Sequence, residues 1–587
     1  MTTAWRQAGA VAAWVIPGRA AWLAPVAAIC LSGFALAAHG QQVTPSGQVQ
    51  PGQTRPLPEA PAPAPAPNFE FRIESPRPSP VPRAVEKLTF SIRNIRVTGA
   101  TRYDAGAFRR FIAPLIGKSV HLSDIIHVAD EIEAKYRSDG YILTRVYVPA
   151  QSVSNGVFRI AVIEGYVAAV SVTGGTPSVR ARVERMLAPV PRSRPLKLAV
   201  IETALLRANA LPGVGVSGLL RPSPTQPGAS DLVATVTAPM VTAVLSVDNR
   251  GAALTDMWTG AADFAIRSPF GEGGIMLLNL AAAPDPRVRY SVGGKYVYPI
   301  GSDGLLFSVS ALDSHGQPAG VVAGQNFVSD NQAYGARLTY PLIVSRETTL
   351  SLDGGFTWQT ANINELSGLV KEHDEWREVD LALVYQQNGF LNGVTNASLD
   401  LTQGLDILGA SPAGDLNTSR GLTPADPSFT KLSGLVRRTQ ELFGPWSLVV
   451  TGVGQYGFDT LFIGEEVSFG GAQIGRGYDP AALTGDMGAG GDFEMRYNLN
   501  VNGWRITSPN VRVTHAELYS FYDVAKVWNH TGEVMPDFID STGFGARAVV
   551  EQRLELGLEA AFPLVRVPTS DFDKKAMRVL FNASIKF

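Results

Sequence analysis

VRYSVGGKYVYPIGSDGLLFSVSAL, residues 288–312, consists of two alternating segments joined by the residues GSDG. Apolar residues recur at every second position in each segment, which is the period of a β-strand with two different faces. Gly, Ser and Asp between the segments favour a tight connection. The stretch therefore predicts a pair of antiparallel strands.

Similar segments recur through the C-terminal part of the chain. About sixteen can be placed between Val241 and Phe587, the last of them MRVLFNASIKF. The connections SPFGEGG, IGSDG and NGFLNG are short, whereas LDILGASPAGDLNTSRGLTPADPS at 405–428 is long. An even number of roughly ten-residue strands, with short turns at one end and long loops at the other, is typical of a bacterial outer-membrane barrel. We predict a membrane β-barrel of about 16 antiparallel strands at residues 239–587.

A soluble β-sandwich or propeller would also give strands and turns. The composition favours the barrel, since only 17% of the 587 residues are charged against roughly 25% in soluble domains. The formal net charge of −2 offers no basic excess to neutralise phosphates, so nucleic acid is not an expected partner.

The N-terminal segment predicts the compartment. An apolar run covers residues 20–38 and ends near the small residues at 35–37, which predicts a signal peptide at 1–40 with cleavage within 37–41. The alternative is a membrane anchor helix, against which Pro25 weighs. The only cysteine, Cys30, lies in this run, so the mature chain is expected to have no disulfide and no cysteine metal site.

Residues 41–87 are predicted to form a proline-rich periplasmic linker. The stretches PEAPAPAPAPNFEF and ESPRPSPVPR contain too much proline for a helix or a strand ladder and favour an extended, semi-rigid chain. The segment would act as a spacer, or as a docking strand for another periplasmic molecule.

Two α+β modules are predicted at 88–166 and 167–238, each in the order β-α-α-β-β. In the first, Ser123 is expected to cap a helix that ends at Gly140. Its apolar face would include the following residues: Ile125, Ala129, Ile132 and Tyr136. An edge strand of such a small sheet can accept an extended peptide, although the modules could equally serve as structural spacers.

One glycine-rich segment carries a single cation. GGAQIGRGYDPAALTG, residues 470–485, connects the predicted eleventh and twelfth strands and would be the sixth external loop. A lone arginine in such a loop is ordinarily solvated. However, LYSFYDVAKVW at 518–528 places Asp523 in the next strand but one, and an inward-facing carboxylate there could pair with Arg476. The glycines would allow the loop to enter the lumen.

These residues resemble the two-partner secretion outer-membrane transporters (TpsB), which carry polypeptide-transport-associated (POTRA) domains before a sixteen-stranded barrel. The similarity covers nearly the whole mature chain. In the first module the matching residues are Pro149, Gln151, Gly156, Glu164 and Gly165. In the barrel they are Gly470, Gly471, Arg476, Gly477 and Tyr478 of the loop-six motif, with Phe521 and Asp523 of the partner strand. The chain departs from the family at Gly475, where valine is common, and at Ala525, where glycine is usual.

The resemblance implies that the protein takes an unfolded partner from the periplasm and passes it to the cell surface. POTRA domains would capture the partner, and Arg476 would latch loop six in the lumen, paired with Asp523. The resemblance also implies outer-membrane lipids and the barrel-assembly machinery as partners. It does not extend to a plug helix, because residues 43–53 and the proline tract do not have a helical pattern.

No enzymatic activity, metal or cofactor is predicted. The sequence has no GxSxG elbow, HExxH pair or GxxxxGK[ST] phosphate loop, and its 7 histidines are scattered. The alternatives are a barrel insertase of the same superfamily, a diffusion porin, and a surface adhesin that would use the long loop beginning at Leu405.

Overall fold

The computed structural model of the chain describes residues 71–73, 89–153, 155–226, 228–237, 240–252, 256–270, 273–317, 328–365, 370–420, 423–501, 512–530, 537–566 and 576–587. The predicted signal peptide, the region of a possible plug helix and most of the predicted linker lie outside these ranges. In the described part of the chain, no helix has the length and apolar character needed to cross a membrane.

The first module follows a short strand, β1 (Phe71–Ile73). Its elements in chain order are β2 (Thr89–Ser91), β3 (Asn94–Thr98), a 3₁₀ turn (Ala105–Phe108), α1 (Arg109–Ile112), a 3₁₀ turn (Ala113–Leu115), β4 (Ser119–His121), α2 (Leu122–Ser138), β5 (Arg145–Tyr147) and β6 (Val157–Ile163). The main sheet has the order β3-β6-β5, in which β3 is parallel and β5 antiparallel to β6. Strands β2 and β4 form a separate pair.

Helix α2 buries the predicted apolar face, including Ile125, Ile132 and Tyr136. The prediction that Ser123 caps this helix is wrong. The N-cap is His121, whose backbone N–H donates to the Asp124 carboxylate at 2.8 Å, and the two residues form a capping box. The acidic residue three positions after the cap therefore determines where the helix begins. Gly140 follows the last turn with a φ of 91°, a conformation that favours glycine.

The second module has the same order of elements: β7 (Tyr166–Gly174), α3 (Pro177–Leu187), a 3₁₀ turn (Val190–Arg192), α4 (Leu198–Asn209), β8 (Gly215–Pro222) and β9 (Ala229–Thr237). Both helices pack on one apolar core with the sheet. The sheet order is β1-β8-β9-β7, so β1 adds a fourth strand in parallel to β8. This corrects the prediction that the linker cannot join a ladder. Residues 68–75, NFEFRIES, lack proline and can therefore pair.

The sixteen-stranded barrel is confirmed. Its strands are β10 (Val241–Asp248), β11 (Thr259–Arg267), β12 (Ile275–Ala282), β13 (Arg289–Ile300), β14 (Leu305–Gly316), β15 (Val328–Val344), β16 (Thr348–Glu365), β17 (Val370–Asn388), β18 (Gly393–Gly404), β19 (Thr430–Glu441), β20 (Trp446–Gly457), β23 (Met487–Asn498), β24 (Val513–Trp528), β25 (Phe538–Val550), β26 (Leu554–Pro563) and β27 (Arg578–Lys586). All pair antiparallel with their neighbours, and β27 closes the barrel against β10.

The strands alternate between an outer apolar face and an inner polar face. In β17, Val379, Leu381 and Leu383 are exposed on the outside, whereas Glu378 and Asp380, which alternate with them, are buried on the lumen side. This is the two-residue period of a barrel whose outer face contacts lipid. A carboxylate on the inner face is thus available to elements that enter the lumen.

The predicted alternation of short turns and long loops fails at one place. The connection from β23 to β24 spans residues 499–512, although it lies at the end where the other turns are short. LNVNGWRITSPNVR contains the dipeptide Asn-Gly at 502–503, which favours a tight two-residue hairpin turn, so local turn chemistry does not account for the length of this connection.

The second module contacts the barrel through a buried arginine. Arg182 in α3 donates to the carbonyl oxygens of Pro299 at 2.6 Å and Gly301 at 2.8 Å, at the turn between β13 and β14. Its guanidinium also lies over the ring of Tyr298. An ion pair of 2.7 Å between Arg346 and Glu202 adds a second contact. The exact boundaries of the modules stay a prediction.

Candidate functional site: loop six and its carboxylates

Loop six comprises residues 458–486, between β20 and β23, as predicted. A 3₁₀ turn (Ile463–Glu465) opens it, and two short strands, β21 (Val467–Phe469) and β22 (Leu483–Gly485), pair within it. Between these strands the chain folds tightly: Gly470 has a φ of 112°, and a Cβ added there would lie 2.2 Å from the carbonyl oxygen of Asp479. The Gly471 N–H donates to the Tyr478 carbonyl at 3.1 Å.

Apolar residues of the loop pack against the inner face of the barrel. Ile474, Tyr478 and Leu483 share a buried cluster with Val527 and Ile539 from β24 and β25. At Gly475 the φ of 91° and the 2.7 Å separation between an added Cβ and the Ile539 Cδ1 exclude a larger residue in this conformation. Glycine at this position thus lets the loop approach the wall closely enough for the next residue to reach it.

Arg476 meets Asp523 as the sequence predicts. The guanidinium Nε donates to Asp523 Oδ2 at 3.1 Å and Nη2 to Oδ1 at 2.8 Å, so the pair is bidentate. The same Oδ2 accepts the backbone N–H groups of Gly475 at 3.1 Å and Arg476 at 2.9 Å. Arg476 is only 4% exposed and Asp523 is fully buried, so water does not screen this pair.

Three further carboxylates surround the guanidinium, and the sequence analysis missed all of them. Arg476 Nη1 donates to Glu494 Oε2 at 2.7 Å, Nη2 donates to Asp492, and Glu559 lies 3.7 Å away. The sequence did contain a signal for two of these carboxylates. Asp492 and Glu494 are two residues apart in β23, so they share the inner face. Exposed Phe493 lies between them on the outer face. Glu559, in β26, carries no comparable signal beside loop six.

The cluster contains more cations than Arg476. Glu494 also accepts from Arg496 at 2.7 Å and from Arg547 at 2.8 Å, and Glu559 lies 3.4 Å from Arg250. Within the described part of the chain, Asp492 forms an ion pair only with Arg476. Removing Arg476 would consequently leave Asp492 and Asp523 without a positive partner, whereas Glu494 and Glu559 would keep theirs.

Phe521 lies under the guanidinium. The Arg476 Cζ is 3.6 Å from the centre of the Phe521 ring, a distance at which the ring face attracts a cation. Phe521 and Asp523 are two residues apart in β24, and Tyr522 between them is exposed on the outer face. The FYD motif thus places a ring and a carboxylate on one inner face beside loop six.

Gly477 and Tyr478 extend the contact to the next strands. The Gly477 N–H donates to Ser541 Oγ at 3.2 Å, and a Cβ at Gly477 would lie 2.8 Å from the Ser541 Cβ. The Tyr478 hydroxyl lies 2.9 Å from the Asp540 carbonyl oxygen and accepts the Val565 N–H at 3.0 Å. The structure thus brings Arg476 to the strand motif and Gly477 and Tyr478 to the neighbouring wall, whereas Gly470 and Gly471 shape the loop itself; the role of these residues in transport stays a prediction.

A second polar contact holds the outer end of loop six. Asp486 accepts from Arg420 of the long fifth loop at 3.0 Å, from the Leu461 N–H at 2.9 Å and from the His530 N–H at 3.1 Å. Arg420 also donates to Glu466. Loops five, six and seven are therefore joined at a single buried carboxylate.

The motif residues of the first module lie elsewhere and shape that module. Gln151 bonds both backbone groups of Arg159 at 2.8 Å and so mimics a strand partner for β6. A Cβ at Gly156 would lie 2.7 Å from the Ser91 carbonyl oxygen, and one at Gly165 would lie 2.5 Å from that of Leu143. Pro149 is half-buried before this turn. None of these residues contacts loop six among the described contacts.

Glu164 is the main polar anchor of the first module. Its carboxylate accepts the N–H groups of Thr101 and Arg102 at 2.9 Å and the Tyr136 hydroxyl at 2.6 Å. Burial opposes its charge, but these hydrogen bonds outweigh burial and lower the pKa of Glu164 below its ordinary value. Burial and the hydrogen bond to the charged Glu164 raise the pKa of Tyr136. The motif glutamate therefore serves as a fixed acceptor.

The edge strands of the two modules are equivalent. In each sheet, one outer strand runs parallel to the central strand and the other antiparallel, which makes β5 and β8 counterparts. At β5 the Val146 N–H donates to Glu133 Oε2 at 3.0 Å, and Tyr147 and Ile163 are exposed beside it. At β8 the backbone is covered by β1.

Comparison with known proteins identifies relatives over most of the chain. Residues 90–165 match the model of the POTRA domain, ShlB-type, and residues 228–548 match that of the haemolysin secretion/activation protein ShlB/FhaC/HecB. The heme/hemopexin transporter protein HuxB of Haemophilus influenzae strain 86-028NP is 23% identical over 66% of this chain and 68% of its own length. The hemolysin transporter protein HpmB of Proteus mirabilis is 24% identical over 68% and 70%. The structure of CdiB from Escherichia coli superposes with a TM-score of 0.64 at 20% identity and covers 87% of this chain and 93% of that one.

Proposed function

Because the chain belongs to the haemolysin secretion/activation protein family ShlB/FhaC/HecB, we propose that it exports an unfolded partner protein from the periplasm to the cell surface. The chain is an outer-membrane transporter with its POTRA module in the periplasm. The names of its relatives mention hemolysin and heme/hemopexin. The partner of this chain is another secreted protein of the same general kind.

One observation carries the mechanism: a single arginine on a lumen loop pairs with carboxylates from β23 and β24. Loop six packs its buried residues against the inner wall of the barrel, and passage of a polypeptide through the lumen would require the loop to move. The contact combines these charged hydrogen bonds with the apolar cluster of Ile474, Tyr478 and Leu483. Because the charged bonds converge on Arg476, a change at that residue can shift the balance between a closed and an open passage.

Capture of the partner begins at the first module. The outer edge of β5 offers backbone groups to an extended peptide, and exposed Tyr147 and Ile163 offer apolar contacts beside it. A peptide strand here would replace the Glu133 carboxylate on the Val146 N–H. Main-chain bonding of this kind is tolerant of sequence, as capture of an unfolded substrate requires.

No nucleotide drives the transport, since the sequence contains no phosphate loop of the GxxxxGK[ST] type. Transfer runs on the difference in free energy between the two sides of the membrane. Folding of the partner outside the cell prevents its return and makes the movement directional.

The test compares proteins on the surface and in the medium of the native bacterium, with and without this chain. The proposal predicts that one secreted protein disappears from the outside and returns when the chain is restored. A general loss of other outer-membrane barrels would instead support an insertase, and a defect confined to uptake of small solutes would support a porin.

The adhesin alternative concerns loop five, which is only partly held against the barrel. Ala425 and Phe429 share a buried cluster with Trp376 and Phe462, and Arg420 is tied to loop six. Ile407, Leu408 and Leu416 remain exposed, so cell binding that is lost on deletion of the exposed part of the loop, with export intact, would support an adhesin.

A further inference from the structure

A segment of the linker covers the edge strand of the chain's own second module. The proline-free part of the linker forms β1, which pairs in parallel with β8 through the register Phe71 with Gly218, Arg72 with Leu219 and Ile73 with Leu220. Without β1, β8 would be the outer strand of the second module, and its backbone N–H and C=O groups would be open to another strand. We propose that β1 is an internal occupant of this edge, which an extended segment of the exported protein displaces during transport.

Equivalence of the two modules supports this proposal, which rests on the proposed function. Strands β5 and β8 occupy the same position in their sheets, yet their edges are closed differently. A single side chain, Glu133, covers the edge at Val146, whereas a strand covers β8. A partner would therefore reach β5 first, and the edge of β8 becomes available only when β1 leaves.

The length of β1 suits exchange. It pairs through three residues, and prolines at positions 67 and 76 border the proline-free stretch 68–75. Proline cannot donate to a ladder, so the pairing cannot lengthen far in either direction. A longer segment of an unfolded partner could pair along more of β8, which spans Gly215–Pro222, and would thus outcompete β1. Tethering to the same chain keeps β1 near the edge when no partner is present.

The chemistry of the edge defines what it binds. It recognises backbone groups of an extended polypeptide rather than a particular side chain. On the outer face of β8, Ser217 and Arg221 are exposed and Leu219 is half-buried, so this surface offers one cation but no set of side chains that would select a particular sequence. The partner segment is accordingly an unfolded, extended stretch of the exported protein.

The experiment locks β1 in place in the full-length transporter. Arg72→Cys and Leu219→Cys lie at paired positions and can be joined by a short thiol-reactive cross-linker that a reductant cleaves. The matched control is Thr173→Cys with Thr235→Cys, which pair in the parallel ladder between β7 and β9 and should remain paired during transport. Barrel insertion is checked by heat-modifiable migration, and export of the partner is measured before and after reduction.

We expect the β1–β8 cross-link to lower export at least about tenfold, with recovery after reduction, and the control cross-link to leave export unchanged. A Phe71→Pro, Ile73→Pro variant, in which β1 cannot pair, should export at least as well as the parent. Full export by the cross-linked transporter would overturn the proposal and make β1 a permanent cover. Loss of export in the proline variant would overturn it as well. If the parent itself exports nothing, the proposed function fails instead, so the two failures are distinguishable.

Discussion

Substitution of Arg476 by methionine should release loop six from the barrel wall. Methionine replaces the aliphatic part of the arginine side chain but carries no guanidinium, so Asp492 and Asp523 would remain in a buried site without this cation. Breaking a buried ion pair by removing one partner typically costs about 3–5 kcal/mol. Since about 1.4 kcal/mol is a factor of ten, the docked fraction should fall by roughly 10²-fold or more relative to the released one.

The fraction of molecules in which loop six is released can be measured with a cysteine probe. Ile474 is 3% exposed in the loop, and the predicted mature chain has no other thiol. In an Ile474→Cys background, maleimide should react only when the loop leaves the wall, so the labelling rate reports the released fraction. We expect Arg476→Met to raise this rate by about 10²-fold, as the lower end of the buried-pair cost implies.

A matched control removes a different cation from the same cluster. Arg496 donates to Glu494 at 2.7 Å and its side chain is 20% exposed, but it does not bond to loop six in the described contacts. Arg496→Met should therefore change the labelling rate less than about threefold, as expected for a partly exposed pair. Equal rates for the parent and Arg476→Met would refute the reasoning, because the apolar cluster alone would then hold the loop.

Three other substitutions test separate parts of the structure. Asp523→Asn should raise the labelling of Ile474→Cys by about tenfold, less than Arg476→Met, because it weakens charged hydrogen bonds but leaves Asp492, Glu494 and Glu559 beside the arginine; an effect larger than that of Arg476→Met would contradict this ranking. Arg182→Met removes the bonds to Pro299 and Gly301, so spin labels on the second module and the barrel should show a broader distance distribution with the barrel unchanged; an unaltered distribution would mean that other contacts suffice. Glu164→Gln should speed amide exchange at Thr101 and Arg102 by about tenfold at neutral pH, since an uncharged acceptor replaces a carboxylate. Because the pKa of Glu164 is lowered, the parent's extra protection should be present above the ordinary glutamate pKa and be lost as the pH falls through the lowered value, whereas the Gln variant should lack this dependence.

The barrel and the two modules could be predicted because each depends on local periodicity. Alternation in segments such as 288–312 gives a strand with two faces whatever its neighbours are. The helical spacing of Ile125, Ile132 and Tyr136 likewise gives the buried face of α2. In both cases the partner surface need not be known for the pattern to be visible.

The contents of the cluster around Arg476 could be predicted only in part. Asp523 could be predicted because it is a charged residue on an otherwise apolar strand face and follows Phe521 by two positions. Glu559, from β26, reaches the guanidinium only because the barrel brings β23, β24 and β26 around one loop. The pairing of β1 with β8 depends in the same way on tertiary contacts over 140 residues of chain, since three residues carry too little local signal to specify a strand.

The most direct test of the account is a reversible lock on loop six. A Cβ at Gly477 would lie 2.8 Å from the Ser541 Cβ and 2.9 Å from the Pro563 N, closer than the roughly 3.5–4.5 Å between the Cβ atoms of a disulfide, so bridging Gly477→Cys with Ser541→Cys requires the loop to move slightly away from the wall. Each single cysteine variant serves as a control for the substitutions themselves. The account predicts that the oxidised double variant inserts normally, exports no partner and regains export on reduction. Export at the parental rate while the bridge is intact would contradict the claim that loop six must move.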